Sequence, residues 1–192
     1  MSPDKFFIQF LFVLLIVSSA TAQQKNVAQL YKVTLYKIYL SEASKNVSAL
    51  YGSIGIQIQV KRDGNLETLP NEQLTTTRFW SVRKEEAKKL SSGTSGSIVD
   101  PTGIRFHYNG SLEVSEWRSF YISESEYTNN AKINIQANLG SVNTLNTQTF
   151  PWKQRNLFIK DMQLGTAYLF IQKATENSNN KIAITFKIEK IN

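Results

Sequence analysis

Apolar and polar residues alternate with a period of two along most of this chain. In the clearest stretch, four apolar residues alternate with polar or small ones from Ser53 to Lys61. These four residues are Ile54, Ile56, Ile58 and Val60. Successive side chains of a strand point to opposite faces, so the pattern predicts a strand with one buried face and one face in water. The pattern recurs at Ile133, Ile135, Ala137 and Leu139, at Ala167, Leu169 and Ile171, and at Ile182, Ile184, Phe186 and Ile188.

The first predicted strand, Leu30 to Leu40, changes its alternation halfway. Its apolar residues have one parity up to Leu35 and the other parity from Tyr36 onward. A β-bulge adds one residue to a strand and thereby shifts the parity of everything that follows. The sequence therefore predicts a bulge near Leu35 and Tyr36, with both halves of the strand burying the same face.

Weaker strand patterns lie at 77–83, 104–108, 112–123 and 156–162, separated by turn-rich segments such as Asp100–Gly103. Asn109-Gly110 predicts a two-residue hairpin turn, because these residues adopt positive φ readily. The polar segment Gly140–Gln148 predicts a long loop within one domain. Only Lys84–Leu90 has a short helical pattern.

These elements predict an all-β fold without alternation of strands and helices. The expected architecture is an antiparallel β-sandwich of about eight strands, C2-like or immunoglobulin-like. No fixed repeat and no long linker divides the chain. We therefore expect one domain over residues 23–192.

Residues 1–22 have the composition of a secretory signal peptide. Lys5 precedes the apolar run Phe6–Val17, and Ala20-Thr21-Ala22 provides the small residues of a cleavage site. A membrane-spanning helix needs about 20 apolar residues, more than this run contains. We expect cleavage after Ala22, a mature chain with no transmembrane segment, and a secreted or periplasmic location.

The composition excludes several kinds of site. The chain has no cysteine and one histidine, His107, so it cannot form disulfides, thiolate sites or multi-histidine zinc sites. No cofactor and no metal ion are expected. The formal net charge of +7 would attract anionic surfaces in a salt-dependent way, although solubility alone would also account for it.

Two early segments carry a family resemblance. Tyr31-Lys32-Val33-Thr34-Leu35-Tyr36-Lys37-Ile38 and Leu50-Tyr51-Gly52-Ser53-Ile54-Gly55-Ile56-Gln57-Ile58 resemble the first two strands of C2-like or PLAT-like sandwiches. The resemblance implies an eight-stranded module that docks on membranes or partner proteins. Calcium-dependent C2 domains gather aspartates at one end, whereas Asp63, Asp100 and Asp161 are far apart in this sequence. The resemblance therefore implies no calcium-dependent mechanism.

Catalytic chemistry has weak support in the sequence. His107 alternates with Phe106 and is expected on a solvent-facing side, and no G-x-S-x-G segment occurs. A glycosidase needs two carboxylates about 5 to 10 Å apart. Two pairs of glutamates qualify by spacing, Glu113 with Glu116, and Glu124 with Glu126 on one strand face. Such pairs are common on solvated strands, so we expect a protein that is not an enzyme, with a secreted polysaccharide hydrolase as the alternative.

The aromatic residues are better candidates for a binding site. Trp117 and Trp80 are expected in the core, whereas Trp152 ends the polar segment beside Lys153 and Arg155. Trp152 has two interpretations, a ring that plugs the end of the sandwich or an exposed ring that binds a ligand. A basic cluster is interpreted as a solvated segment, since Glu85 and Glu86 interrupt it. That cluster comprises Arg78, Arg83, Lys84, Lys88 and Lys89.

Together these features predict a secreted, non-enzymatic binding or adhesion module with a site at Trp152, Lys153 and Arg155. Its expected partner is a glycan, an anionic membrane surface or another protein. Nucleic acid is disfavoured, because the aromatic residues do not follow an RNA-binding motif and the chain is expected to be exported.

Overall fold

The computed structural model describes residues 27–41, 49–62, 65–69, 78–142, 147–174 and 180–191. The predicted signal peptide and the residues Asp63 and Gly64 lie outside the described residues. In chain order the strands are β1 (Ala28–Leu40), β2 (Ala49–Arg62), β3 (Asn65–Leu69), β4 (Arg78–Val82), β5 (Lys88–Lys89), β6 (Ser91–Val99), β7 (Arg105–Ser123), β8 (Lys132–Val142), β9 (Thr147–Phe158), β10 (Ala167–Lys173) and β11 (Lys181–Ile191).

The strands form two antiparallel sheets, which confirms the predicted all-β sandwich. The first sheet has the order β10-β11-β1-β7-β6. In the second sheet β9 pairs with β8 and β8 with β2, and the far side of β2 pairs with β3, β4 and β5 at successive positions along its length. Several of these strands are too short for a period-two pattern to reveal, so the described residues contain more strands than the sequence indicated.

The inner faces of the two sheets meet in one hydrophobic core. The predicted buried residues of β2, β8 and β11 all lie in it, so three of the four alternating sets are confirmed. The set in β10 is wrong in its parity. Tyr168 and Phe170 enter the core, whereas Leu169 is buried on the opposite side of the strand and Ala167 is exposed.

The predicted bulge in β1 is confirmed. The pairing of β1 with both β7 and β11 skips from Leu35 to Lys37, and Tyr36 is the extra residue against β11, where the partners Phe186 and Thr185 are consecutive. Strand β7 bends at the same level, where Ser115 has a φ of 56°. The bulge keeps Leu35 and Ile38 on the same buried face, as the change of parity requires.

Asn109-Gly110 does not form the predicted hairpin turn. Strand β7 continues through it, with Gly110 paired to Leu40 on one side and to Ser92 on the other. Strands on both sides supply hydrogen-bond partners for an extended backbone, and this outweighs the local preference for a turn. The turn between β6 and β7 lies instead at the predicted turn segment Asp100–Gly103, where Gly103 has a φ of 82°.

The long loop predicted at Gly140–Gln148 is strand at both of its ends, and residues 143–146 lie outside the described residues. Strand β8 extends to Val142 and β9 begins at Thr147. Polar residues on the outer face of a sheet have the same composition as a loop, so composition alone did not distinguish them. Of the predicted helical segment, Lys84–Glu86 is a 3-10 helix and Lys88–Lys89 is strand β5.

The end of the β6–β7 hairpin packs on the outer face of the first sheet, the face turned away from the second sheet. Phe106 of the hairpin is buried against Leu169 of β10 and Ala183 of β11. The Tyr108 ring lies 4.4 Å from the ring of Tyr39 on β1, centroid to centroid. The hairpin therefore forms a partial third layer, which explains why Leu169 is buried outside the main core.

Candidate functional site

The outer face of the second sheet carries rows of amide side chains. In one row Gln57, Asn134 and Asn156 occupy paired positions on β2, β8 and β9. The next row runs from Gly55 through Gln136 to Gln154. Paired residues of neighbouring strands point to the same face, so these amides form a continuous polar surface.

Hydrogen bonds between side chains connect these amides. The Asn134 Nδ2 group donates to Asn156 Oδ1, and Gln136 Nε2 donates to Asn134 Oδ1 over 2.7 Å. Asn134 is buried, although it belongs to the outer face. The bonds fix the orientation of the amide groups, and this surface presents oriented donors and acceptors before any ligand binds.

A cleft of about 280 Å³ lies on this amide surface. Its lining includes Gly55 and Ser53 on β2, Arg78 on β4, and Trp152 on β9. Gly55 has no side chain and Ser53 has a small one, so β2 contributes a low floor. Larger side chains stand on the neighbouring strands and form the sides of the cleft.

Trp152 is 59% exposed and so does not plug the end of the sandwich. It lies in a bulge of β9, where the pairing with β8 skips from Phe150 to Lys153. Pro151 has no N–H for the ladder, which favours an irregularity at this position. The buried Gln172 donates from Nε2 to the carbonyl oxygens of Pro151 and Ala137, both over 3.0 Å, and thereby anchors the bulge.

Lys153 and Arg155 do not join Trp152 in one site, contrary to the prediction. Lys153 Nζ donates to the Ile171 carbonyl oxygen over 2.9 Å, and an Arg155 guanidinium N–H donates to the Leu169 carbonyl oxygen over 3.0 Å. Trp152, Lys153 and Arg155 lie in strand β9 and not in a loop. Because side chains alternate along a strand, the two cations point away from the face of Trp152 and toward the edge of β10. They bind backbone carbonyls on that edge strand.

Arg78 is a functional candidate that the sequence pattern did not indicate. It lies opposite Gly55 on β4, is exposed, and lines the same cleft as Trp152. Its neighbourhood in the sequence is a charged segment, and nothing local shows that the strand brings it beside the amides. The amides themselves left a signal, since Gln and Asn occupy alternate positions at 57, 59, 134, 136, 138, 154 and 156.

Two other tryptophans differ in environment. Trp117 is 53% exposed, so its predicted place in the core is wrong, and the Lys32 ammonium lies 5.1 Å from its ring centroid. It stands on the outer face of the first sheet because it alternates with Phe120 and Ile122, which face the core. Trp80 is partly buried and packs against the core, as expected.

The structure places the two predicted carboxylate pairs in different surroundings. Glu124 and Glu126 lie in the short helix α1 (Glu124–Thr128) and not on a strand. Glu126 is buried, and its carboxylate accepts a hydrogen bond of 2.7 Å from the Ser123 N–H in a capping box. Glu113 forms an ion pair with Lys37, and Glu116 lies 3.6 Å from Arg118.

The structure also locates His107 and bears on metal-binding groups and membrane-spanning helices. His107 is exposed, as predicted for its side of the strand, and Phe106 is buried. Within the described ranges, no group of three or more His, Asp or Glu side chains is arranged to hold a metal ion. No helix among the described residues is long and apolar enough to cross a membrane.

Comparisons with known proteins assign no family. No family model matches the chain, and no curated protein matches it. Among solved structures, it is similar to one described as "CC2D1B coordinates ESRCT-III activity during the mitotic reformation of the nuclear envelope". That match has a TM-score of 0.32 and 5% identity, and it covers 84% of this chain and 55% of the other. The chain thus spans about half of that structure, and a likeness at this level carries no functional argument.

Proposed function

We propose that this domain is an exported, non-catalytic glycan-binding module whose site is the outer face of the second sheet. The observation that carries the proposal is the cleft in which the exposed Trp152 ring stands beside a fixed array of Gln and Asn side chains. A sugar has a face of C–H groups and a rim of hydroxyl groups. The indole ring would stack on the face, and the amides would exchange hydrogen bonds with the hydroxyls.

The composition of the strands favours binding over hydrolysis. Strands β2, β4, β8 and β9, which line the cleft, contain no Asp and no Glu. A glycoside hydrolase of the usual kind needs two carboxylates about 5 to 10 Å apart at the scissile bond. The residues lining the cleft offer hydrogen bonds and a stacking surface, and no general acid or nucleophile of that kind.

Other partners fit this face less well. A membrane surface or a stable protein interface favours apolar residues at its centre, and this face has amides there. An exported chain would meet extracellular polysaccharide, so the expected signal peptide agrees with the proposal without being required by it.

Affinity electrophoresis through gels containing single polysaccharides tests the proposal. Retardation should occur in at least one gel and should be lost with Trp152→Ala. Without the stacked ring, the complex buries less apolar surface. The binding free energy should weaken by about 1.5–3 kcal/mol, which raises the Kd roughly tenfold or more. Gly55→Gln should also abolish retardation by filling the floor of the cleft, since Gly55 has no positive φ that a longer residue would strain.

Trp117→Ala is the matched control, because Trp117 is similarly exposed on the opposite sheet. It should leave retardation unchanged. The proposal fails if no polysaccharide retards the protein, or if both tryptophan variants lose binding equally. Thermal unfolding of each variant checks that the fold is intact.

A further inference from the structure

We infer that the cleft selects acidic glycans, with Arg78 as the residue that binds the sugar carboxylate. This inference rests on the proposed function and names its ligand class. It begins with the charges around the cleft. Strands β2, β8 and β9 carry five cationic residues and no acidic one. These residues are Lys61, Arg62, Lys132, Lys153 and Arg155.

The cations of these strands differ in their availability. Lys153 and Arg155 are occupied by carbonyl oxygens of β10. Lys132 lies on the amide face, with its ammonium 4.8 Å from the centroid of the Phe158 ring. None of these three residues is paired with a carboxylate within the part of the chain that the structure describes. Lys153 and Arg155 lie on the opposite side of β9, so the positive potential at the amide face comes from Lys132 and Arg78, and a neutral sugar would not use it.

Arg78 is the cation placed to use this potential. Its side chain lines the cleft, and it makes no ion pair with any residue that the structure describes. By contrast, Arg118 is engaged, since it donates to the carbonyl oxygen of Trp117 and lies beside Glu116. A planar guanidinium with free N–H groups matches a carboxylate through two parallel hydrogen bonds.

The positions of Arg78 and Trp152 define how such a ligand would lie. Arg78 is on β4 and Trp152 is on β9, with β2 and β8 between them. Three strand spacings of about 4.8 Å place the two strands about 14 Å apart. A chain of sugars would cross the strands, with one ring stacked on Trp152 and the carboxylate of another residue at Arg78.

The test compares each acidic polysaccharide with a neutral form of the same backbone. Polygalacturonate, alginate and a glucuronate polymer are each immobilised beside their carboxyl-reduced counterparts, and the Kd is measured for the intact mature chain. At least one acidic polymer should bind more tightly than its reduced form, by about tenfold or more, and the difference should shrink as salt rises.

Substitutions assign this preference to one residue. Arg78→Gln should remove the preference for the acidic form while leaving the weaker binding to the reduced form. Arg78→Lys should keep only part of the preference, because an ammonium cannot form the paired hydrogen bonds. Arg83→Gln is the control, since it removes the same charge from an exposed residue that does not line the cleft.

The outcomes separate the inference from the proposed function. If acidic and reduced forms bind equally, or if Arg83→Gln has the same effect as Arg78→Gln, the inference is overturned while glycan binding stands. If neither form binds, both fall. A single-stranded oligonucleotide is included as a probe, because its bases stack and its phosphates bind arginine. Binding of that probe with the same dependence on Arg78 and Trp152, and of no polysaccharide, would also overturn both.

Discussion

The two outer faces of this sandwich differ in the polarity of their side chains and in what covers them. On the first sheet, the outward residues include Tyr39, Leu169 and Ala183, and the β6–β7 hairpin packs over them through Phe106. On the second sheet, the outward residues are amides and small side chains, and no layer of the described chain covers them. The first outer face is apolar and covered where the hairpin lies on it, and the second is polar and open.

This difference between the two faces bears on the role of the exposed Trp152. Apolar side chains on an outer face need a cover, and the chain supplies one where they are numerous. Trp152 stands on the face that needs none, in a bulge held by the buried Gln172. A ring that is 59% exposed among amides contributes little to packing, and this is the physical reason for the proposal that it binds a ligand.

The cover of the first sheet is incomplete. A groove of about 320 Å³ remains between the hairpin and the sheet. Tyr36, Tyr39, Val99 and Leu169 are among its lining residues, and the ion-paired Lys37 and Glu113 also contact it. The hairpin therefore covers only part of the outer face of the first sheet.

Truncation of the covering ring should have the largest effect. Phe106→Ala leaves a cavity between hairpin and sheet and should lower the free energy of unfolding by about 3–5 kcal/mol. Trp152→Ala removes a comparable ring from the open face and should change it by less than about 0.5 kcal/mol. Urea denaturation of the two variants measures both values. Similar losses for the two substitutions would show that the faces do not differ in the way described.

The alternation of residues predicted most of the core but not the faces around it. A period of two tells which residues of β2, β8 and β11 are buried, and a change of parity located the bulge at Tyr36. It does not tell what lies beyond the outer face. Leu169 and Phe106 therefore had no assigned partner, because their contact joins segments that are remote in sequence.

Of the candidate site, the sequence predicted Trp152 but not the other residues that line the cleft. Trp152 was identified from its ring and its polar surroundings, but adjacent residues of a strand point in opposite directions, so Lys153 and Arg155 could not share its face. Arg78 and Gln136, which line the same cleft, come from other strands. Strand pairing alone brings them together, and a single sequence does not reveal that pairing.

The anchor of the Trp152 bulge should give an effect of intermediate size. Gln172→Leu removes the amide that donates to the carbonyls of Pro151 and Ala137. Two carbonyl oxygens, of which that of Ala137 is buried, then lose their donor, which should cost about 1–3 kcal/mol. Binding of the acidic polysaccharide should weaken as well, because the ring loses its fixed position. Gln154→Leu is the control for stability, because Gln154 is exposed on β9, the strand that carries Trp152. This substitution should change the free energy of unfolding only slightly. Equal costs for the two variants would mean that Gln172 does not hold the bulge.

Alkaline pH should produce the smallest effect, and it should act on the covered face. Burial raises the pKa of the Tyr39 phenol, which Tyr108 and Glu113 raise further and Lys37 lowers. The hydrogen bond to Glu113 raises the pKa of Lys37, although desolvation lowers it. Both groups prefer the protonated form more strongly in the folded protein. Their contribution to stability is therefore complete below the pKa values of the unfolded chain, near pH 10, and is lost as the pH rises through the folded values.

The free energy of unfolding should accordingly stay level from about pH 8 to 9.5 and decline above about pH 10. Tyr39→Phe should reduce the decline, because the phenylalanine ring keeps the packing and cannot ionise. Tyr31→Phe separates this share from that of the core, since burial, with Tyr127 and Glu124, also raises the pKa of Tyr31. Urea denaturation across this pH range gives the slopes. An unchanged slope in Tyr39→Phe would show that the phenol ionises without loosening the hairpin, and the covered face would then be more open to water than its packing indicates.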